Sequence, residues 1–249
     1  MAEDRIYTAA LLIIGNEILS GRTQDSNLAY IGKGLNDVGV RLMEVRVVAD
    51  IEAAIVKAVR ELSAENDYVF TTGGIGPTHD DITCASIAAA FKVKVIRHPA
   101  ADALLRDYYG ERVNEARMKM ADVPEGSDLI DNPVSKAPGF RIGNVHCLAG
   151  VPRIMQAQFD GVRHSLKGGK PMLSRSVTVF LAESQMAADL TKLQEKYATT
   201  EMGSYPFSRN GTFGTAIVTR CTDAATLDAA VIELKDMMIR HGGTPQDDA

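Results

Sequence analysis

Strand-like and helix-like segments alternate through the first 150 residues, and this alternation limits the possible folds more than any other feature of the chain. Ala9–Ile14 is an unbroken apolar run ending at Gly15, the pattern of a strand buried on both faces. Apolar residues then recur on one helical face at Leu28, Ile31, Leu35 and Val38, with Gly39 as the stop. Val40–Val48 is β-branched enough for a second strand. Asp50 stands where an N-cap belongs, before Ile51, Ile55, Val59 and Leu62 at helical spacing. Tyr68–Thr71 is a short buried strand that runs into Thr72-Gly73-Gly74-Ile75-Gly76-Pro77-Thr78, after which Asp80 and Asp81 open a helix through Ala90. Repeated β-α-β-α at this spacing predicts parallel strands with right-handed crossovers and helices on both sheet faces. Ligands of such sheets bind outside the carboxyl ends of the strands, so the loops after Ile14, Val48 and Thr71 should share one rim.

Further along, Pro99–Met120 reads as a charged amphipathic helix, followed by irregular chain to Phe140, a strand at Val145–Leu148 and a helix over Val151–Leu166. Lys167-Gly168-Gly169-Lys170-Pro171 resembles a linker. Beyond it the rhythm becomes strand (Ser176–Leu181), helix (Ser184–Tyr197), two strands around Met202 and Thr215–Thr219, and helix (Ala224–Ile239), with Tyr205-Pro206 read as a turn. The expected organisation is an α/β domain over residues 1–170 and a small βαββα domain over 171–249, which suits a chain of 249 residues.

Charge and composition narrow the function. The chain carries 32 acidic and 27 basic residues, a formal net charge of −5, which argues against a nucleic-acid partner because phosphate binding needs a basic excess. No apolar run approaches the roughly 20 residues that cross a bilayer. Glu3 and Asp4 precede the first apolar run, so neither a secretory signal nor a transit sequence is expected. Cys84, Cys147 and Cys221 are too few and scattered for a disulfide framework, and reduced cytoplasmic thiols are the simpler reading. The histidines show no zinc spacing.

The glycine loop carries the chemistry. Residues without Cβ let backbone approach a ligand closely, and a helix N-terminus beyond the loop favours an anion such as phosphate. The loop is neither GxGxxG, since His79 stands three residues beyond Gly76, nor a P-loop, since no Gly-Lys-Ser/Thr follows. A purely structural turn is the bland alternative. Asp80 and Asp81 beside a phosphate would repel it, by about 4 kcal/mol per pair at 4 Å and an effective dielectric of 20. A divalent cation between them resolves the conflict, and Mg²⁺ typically uses one or two carboxylates plus substrate phosphates. Asp81 is the favoured metal ligand, with Asp80 the second candidate; helix capping is the alternative role for both. Asp50 and Gly15-Asn16-Glu17 add polar groups on the same rim, although Asp50 reads equally well as an ordinary cap. Asp25 and Asn27 read either as rim groups or as caps of the next helix.

Taken together, Gly15-Asn16-Glu17-Ile18-Leu19-Ser20-Gly21 with Asp25-Ser26-Asn27, the loop Thr71–Thr83, Asn132-Pro133, Ala137-Pro138-Gly139-Phe140, Ala149-Gly150-Val151-Pro152 and Met202–Pro206 resemble the MoaB/Mog-type molybdopterin-binding family, most closely its CinA-like branch. The resemblance implies a three-layer α/β/α domain with a mostly parallel sheet, usually a homo-oligomer (dimer or trimer), followed by a small KH-like α+β domain. It implies ligand contacts at Gly15, Asn16, Glu17, Thr72, Gly73, Gly74, Gly76, Pro77, Thr78, Gly150, Val151 and Pro152, and catalytic roles for Asp81 and Asp50. One branch of the family adenylylates molybdopterin with ATP and Mg²⁺. The CinA-like branch is associated with cleavage of nucleotide pyrophosphates such as ADP-ribose using Mg²⁺, Mn²⁺ or Co²⁺, and a related domain is fused to eukaryotic FAD synthase. Two readings follow: a metal-dependent nucleotide pyrophosphatase, or a non-hydrolytic protein holding molybdopterin or a nucleotide. Asn16 stands where the family has Asp, Ala149 where it has Pro, and Ile154 where an acidic residue is common. No C-terminal amide-hydrolase segment is present in the 249 residues, so deamidase activity is not expected, and the small domain lacks Gly-x-x-Gly and is acidic, which argues against RNA binding.

Overall fold

The first apolar run is buried because helices cover both of its faces. In the computed structural model, which describes residues 5–209 and 211–248, β1 (Tyr7–Ile14) lies between β2 (Val40–Val48) and β3 (Tyr68–Thr72), parallel to both. Its residues alternate between two cores. Ala10, Leu12 and Ile14 pack with Ile55, Val59 and Leu62 of α3 (Glu52–Glu65), while Ala9, Leu11 and Ile13 pack with Ile31 and Leu35 of α2 (Asn27–Asp37). Burying each Leu or Ile contributes about 1.5–3 kcal/mol, so both faces of the strand are held by apolar packing. A four-residue helix, α1 (Asn16–Leu19), separates β1 from the loop before α2. Glu3 and Asp4 lie outside the described residues.

Beyond β3 come α4 (Thr83–Phe91), β4 (Val95–Arg97), α5 (Pro99–Tyr109), α6 (Glu115–Met118), β5 (Asp122–Pro124), β6 (Asp128–Ile130), β7 (Gly139–Ile142), β8 (Val145–Leu148) and α7 (Pro152–Arg163). The main sheet has the order β2-β1-β3-β8-β7-β6; the first four strands are parallel, and β7 and β6 extend it antiparallel. Ile87 of α4 joins the α3 side, and Met155 and Phe159 of α7 join the α2 side, which completes the α/β/α layering. β4 and β5 form a separate antiparallel ribbon.

Several local expectations are corrected. The Pro99–Met120 helix is broken: Gly110 takes φ +51°, and Asn114 restarts the helix by accepting the Arg117 N–H at 2.9 Å. The supposedly irregular run to Phe140 contains β5, β6 and β7, strands too short to show alternation. The helix expected over Val151–Leu166 spans only Pro152–Arg163, with Val151 as its N-cap. Asp80 and Asp81 do not open a helix, because α4 begins at Thr83 after Ile82 as N-cap. Nor does Asp50 cap α3, whose N-cap is Ile51.

The chain divides into two units between Gly169 and Lys170. The second contains β9 (Leu173–Val179), α8 (Glu183–Lys196), β10 (Glu201–Arg209), β11 (Thr212–Cys221), α9 (Ala224–Arg240) and the short β12 (Gln246–Asp247). Its sheet, β10-β11-β9-β12, is antiparallel throughout, and Val177, Ile217, Leu227, Leu234 and Met238 form its core. Tyr205-Pro206 is not a turn. It lies inside β10, an edge strand, where proline costs no interior ladder bond. Among the described residues no helix is long and apolar enough to cross a membrane.

Candidate functional site

Parallel register gathers four strand ends at one level. Ile14 pairs with Val48, Ile13 with Thr72, and Thr72 with Leu148, so the loops after β1, β2, β3 and β8 leave the sheet together. Two backbone bonds stitch them: Gly15 N–H to Val48 O at 3.2 Å and Gly73 N–H to Leu148 O at 3.3 Å. Asp50, immediately after β2, accepts the Asn16 N–H at 2.9 Å and so anchors the start of α1.

The glycine loop runs so close to its neighbours that side chains do not fit. Gly73 has φ +100°, and a Cβ there would lie 2.2 Å from the Ile14 carbonyl oxygen. Gly74 has φ +67°, and its Cβ would lie 2.2 Å from Thr83 Oγ1. Thr83 fastens the loop to α4: its hydroxyl donates to Gly73 O (2.9 Å) and its N–H to Gly74 O (3.0 Å). The amides of Gly74 and Gly76 donate to no acceptor among the described residues. Together with the Ile75 amide, which likewise has no acceptor there, they are the loop donors available to an anion; the Gly73 amide is already engaged.

This loop separates two clefts. The first, of ≈ 90 Å³, is lined by Gly74, Gly76, Asp81, Cys84, Lys119 and Phe140 among others. Asp81 is half-buried. Its Oδ2 accepts both the N–H (2.7 Å) and the hydroxyl (2.5 Å) of Thr78, while its Oδ1 receives no hydrogen bond within the described chain. Exposed Asp80 contacts the same hydroxyl at 2.5 Å, which holds its carboxyl below the ordinary carboxylate range. One hydroxyl proton cannot serve two carboxylates at once, so the pair has an unmet demand for positive charge. Lys119 supplies part of it, donating to the backbone carbonyls of Thr78 and of Asp81 (3.1 Å). Cys84 is no nucleophile: its thiol donates to Asp122 O at 3.2 Å and is pushed up to about 12, by burial first and the Asp122 charge second.

The second cleft, of ≈ 70 Å³, is lined by Glu17, Asn27, Thr72, Gly73, Gly150 and Pro152 together with the Thr23–Ser26 segment. Asn27 Nδ2 donates to Gly150 O at 2.9 Å and joins the start of α2 to the turn after β8. Asp25 takes the capping role at α2, accepting the Leu28 N–H at 2.8 Å.

The predicted residues are thus divided. Gly74, Gly76 and Asp81 border the first cleft, and Glu17, Thr72, Gly73, Gly150 and Pro152 border the second. Gly15, Asn16 and Asp50 form the support beneath α1, Pro77 and Thr78 form the turn that holds Asp81, and Val151 is an exposed N-cap. Lys119 carried no local signal, since it reaches the loop from about 40 residues away in sequence. Among the described residues no three His, Cys, Asp or Glu side chains form a metal cluster. A closed, protein-only metal centre therefore does not fit. An ion of the Mg²⁺ type held by Asp81 Oδ1 and completed by substrate oxygens does fit, because such ions use few protein carboxylates.

Comparison with known proteins bears on the fold and the family. Residues 10–167 match the family described as "Probable molybdopterin binding domain", and residues 171–245 match "FAD synthase, middle domain". A protein named "Probable FAD synthase" from Caenorhabditis elegans is 31% identical over 262 residues, covering 94% of this chain and 50% of that protein. This chain therefore spans about half the length of the FAD synthases it matches. A CinA-like protein from Desulfosudis oleivorans is 36% identical over 185 residues, covering 69% of this chain and 45% of the relative. The crystal structure of CinA, of unknown function, from Thermoplasma acidophilum superposes with a TM-score of 0.61 at 34% identity, covering 64% of this chain and 98% of that one. The glycine rim, the layered sheet that carries it and a family match over most of the sequence lead to one assignment: the chain belongs to the MoaB/Mog molybdopterin-binding-domain family, with CinA-like relatives and a second unit of the FAD-synthase middle-domain type.

Proposed function

We propose that this chain is a divalent-metal-dependent hydrolase of nucleotide pyrophosphates of the ADP-ribose, CoA or FAD type, acting at the rim beside Asp81. The observation that carries the reading is the uncommitted Oδ1 of Asp81 next to the unpaired amides of Gly74 and Gly76. Those amides bind a phosphate oxygen and stabilise the charge that grows on it during P–O cleavage. Asp81 is the residue that would hold the cation, and the Thr78 turn fixes its carboxylate so that little reorganisation is needed. Lys119 clamps the turn and adds a positive charge at the cleft wall. A bound Mg²⁺, Mn²⁺ or Co²⁺ supplies Lewis acidity toward the diphosphate. The names of the relatives support the substrate class, since FAD is itself a nucleotide pyrophosphate. Asp50 acts at a distance in this reading, by setting α1 through Asn16.

A cytoplasmic homo-oligomer is part of the same proposal, consistent with free Cys84, Cys147 and Cys221. Incubating the full chain with ADP-ribose, CoA and FAD plus each metal, and following AMP-type products, tests it. Metal-dependent release from at least one substrate is expected. No product from any of the three with folded, metal-supplied protein would favour the second reading, a molybdopterin- or nucleotide-holding protein without turnover. That second reading is supported by Asn16 and Ile154, which remove acidic side chains that the family resemblance leads one to expect.

A further inference from the structure

The cleft on the β1 side of the glycine loop contains two buried polar atoms with nothing to bind. Asn27 is 4% exposed and Thr72 is 2% exposed, and Asn27 Oδ1 and Thr72 Oγ1 have no hydrogen-bond partner among the described residues. The Asn27 amide cannot turn over to relieve this, because its Nδ2 is committed to the Gly150 carbonyl, which accepts only a donor. Its oxygen is therefore a fixed acceptor. The cleft's charged side chains, the carboxylates of Glu17 and Asp25, are acceptors too; neutral Thr23, Gln24 and Ser26 complete its polar lining, and no cationic side chain is among the lining residues. An anion is repelled here, whereas a neutral group that donates hydrogen bonds meets a buried acceptor otherwise unsatisfied.

Resting on the reading that this rim holds a nucleotide or pterin, we propose that the cleft formed by Asn27, Thr72 and Gly150 is an amino-group subsite: Asn27 Oδ1 and Thr72 Oγ1 accept the exocyclic amino group of a bound aminopurine or aminopterin ring. The phosphates stay on the far side of Gly73–Gly74, where the free amides and Lys119 lie. The two atoms are closed to bulk water, and Thr23, Gln24, Asp25 and Ser26 line the same cleft. The subsite thereby selects against oxo and unsubstituted rings, which offer no donor at that position.

Two ligand pairs that differ only by the amino group test this by titration calorimetry with the full chain and Mg²⁺. One pair is ADP and purine riboside diphosphate; the other is pterin and pteridin-4-one. The amino-bearing member of one pair should bind roughly ten- to a hundredfold more tightly, and the pair that responds identifies a purine or a pterin as the natural ring. Asn27→Leu should erase the preference but also removes the tie to Gly150. Thr72→Val is the cleaner variant, since its hydroxyl has no partner to lose. It should reduce the preference severalfold without lowering the melting temperature. Equal binding within both pairs, a preference that Thr72→Val leaves intact, or no binding by any of the four probes overturns the subsite. Metal-dependent cleavage of ADP-ribose with no amino preference would leave the hydrolase reading standing and this one refuted. Amino-selective binding without cleavage would do the reverse.

Discussion

The carboxyl ends of the parallel strands and the body of the same strands obey opposite rules. In the body, between the helical layers, Leu11, Leu12, Val69 and Phe70 are fully buried, and even the titratable His146 is stacked on Phe70 with ring centroids 4.9 Å apart. Three residues later the chain tolerates positive φ at Gly73 and Gly74, loop amides without acceptors, and buried Asn27 and Thr72 oxygens without donors. Glycine takes positive φ at no steric cost, whereas each buried oxygen left without a donor costs on the order of 1–3 kcal/mol. A rim of this kind persists because the apolar layers beneath it over-determine the position of every strand end. The difference teaches where a ligand is expected: at the place where the fold is least satisfied, supported by the place where it is most satisfied.

The largest predicted effect comes from breaking the rim at its tightest point. Gly73→Ala places a methyl 2.2 Å from the Ile14 carbonyl in a backbone conformation that L residues resist. We expect a loss of more than about 4 kcal/mol, or insoluble protein, by chemical denaturation. A variant as stable as wild type would mean that the strand ends are not locked together.

The body makes the next prediction. Burial first, and the Arg141 charge second, push His146 down to about 4 from its ordinary 6.5. The unfolded chain therefore takes up the proton at higher pH than the folded one. The stability from this group is complete above pH 6.5 and is lost as the pH falls toward 4. That loss is about 3 kcal/mol. Denaturation curves at a series of pH values, compared with His146→Phe, should show the wild type losing more stability over this window. Parallel profiles would place the imidazole in water instead.

Asp81→Asn addresses function at the rim with stability held fixed. Asparagine still accepts the Thr78 N–H through its oxygen but gives up the charge that holds a cation. Turnover should fall by roughly a hundredfold or more, about 2.7 kcal/mol, with the melting temperature within a few degrees of wild type. Unchanged turnover would remove Asp81 from the chemistry. The smallest effect is a control away from both regions. Gly161 lies inside α7, and a Cβ there meets nothing within 4 Å. Gly161→Ala should stabilise by up to about 1 kcal/mol through helix propensity, opposite in sign to Gly73→Ala.

Much of the fold could be read from local pattern. The Ala9–Ile14 run announced a doubly covered strand, and the helical spacing of Ile55, Val59 and Leu62 announced the layer that covers it. The three-residue strands β5 and β6 did not show, because each is shorter than one full alternation and owes its existence to neighbours, whereas the four-residue apolar run Val145–Leu148 did. Caps were misassigned for a related reason. Asp50 has the right residue type and position to cap α3, yet the Asn16 amide, 34 residues away, binds its carboxylate instead. The glycine loop and Asp81 were legible as a motif; Lys119 was not, since nothing in its own segment marks it.

What the sequence determined by itself was the alternation of elements, the glycine loop and the acidic pair, because periodicity and missing side chains are local properties. Only the tertiary structure decided that Asp80 and Asp81 precede their helix and share one hydroxyl, that Lys119 closes the turn, and that Asn27 is left with an unanswered oxygen. Which donor meets which acceptor depends on how strand ends from distant parts of the chain come level, and that is a property of packing rather than of neighbouring residues.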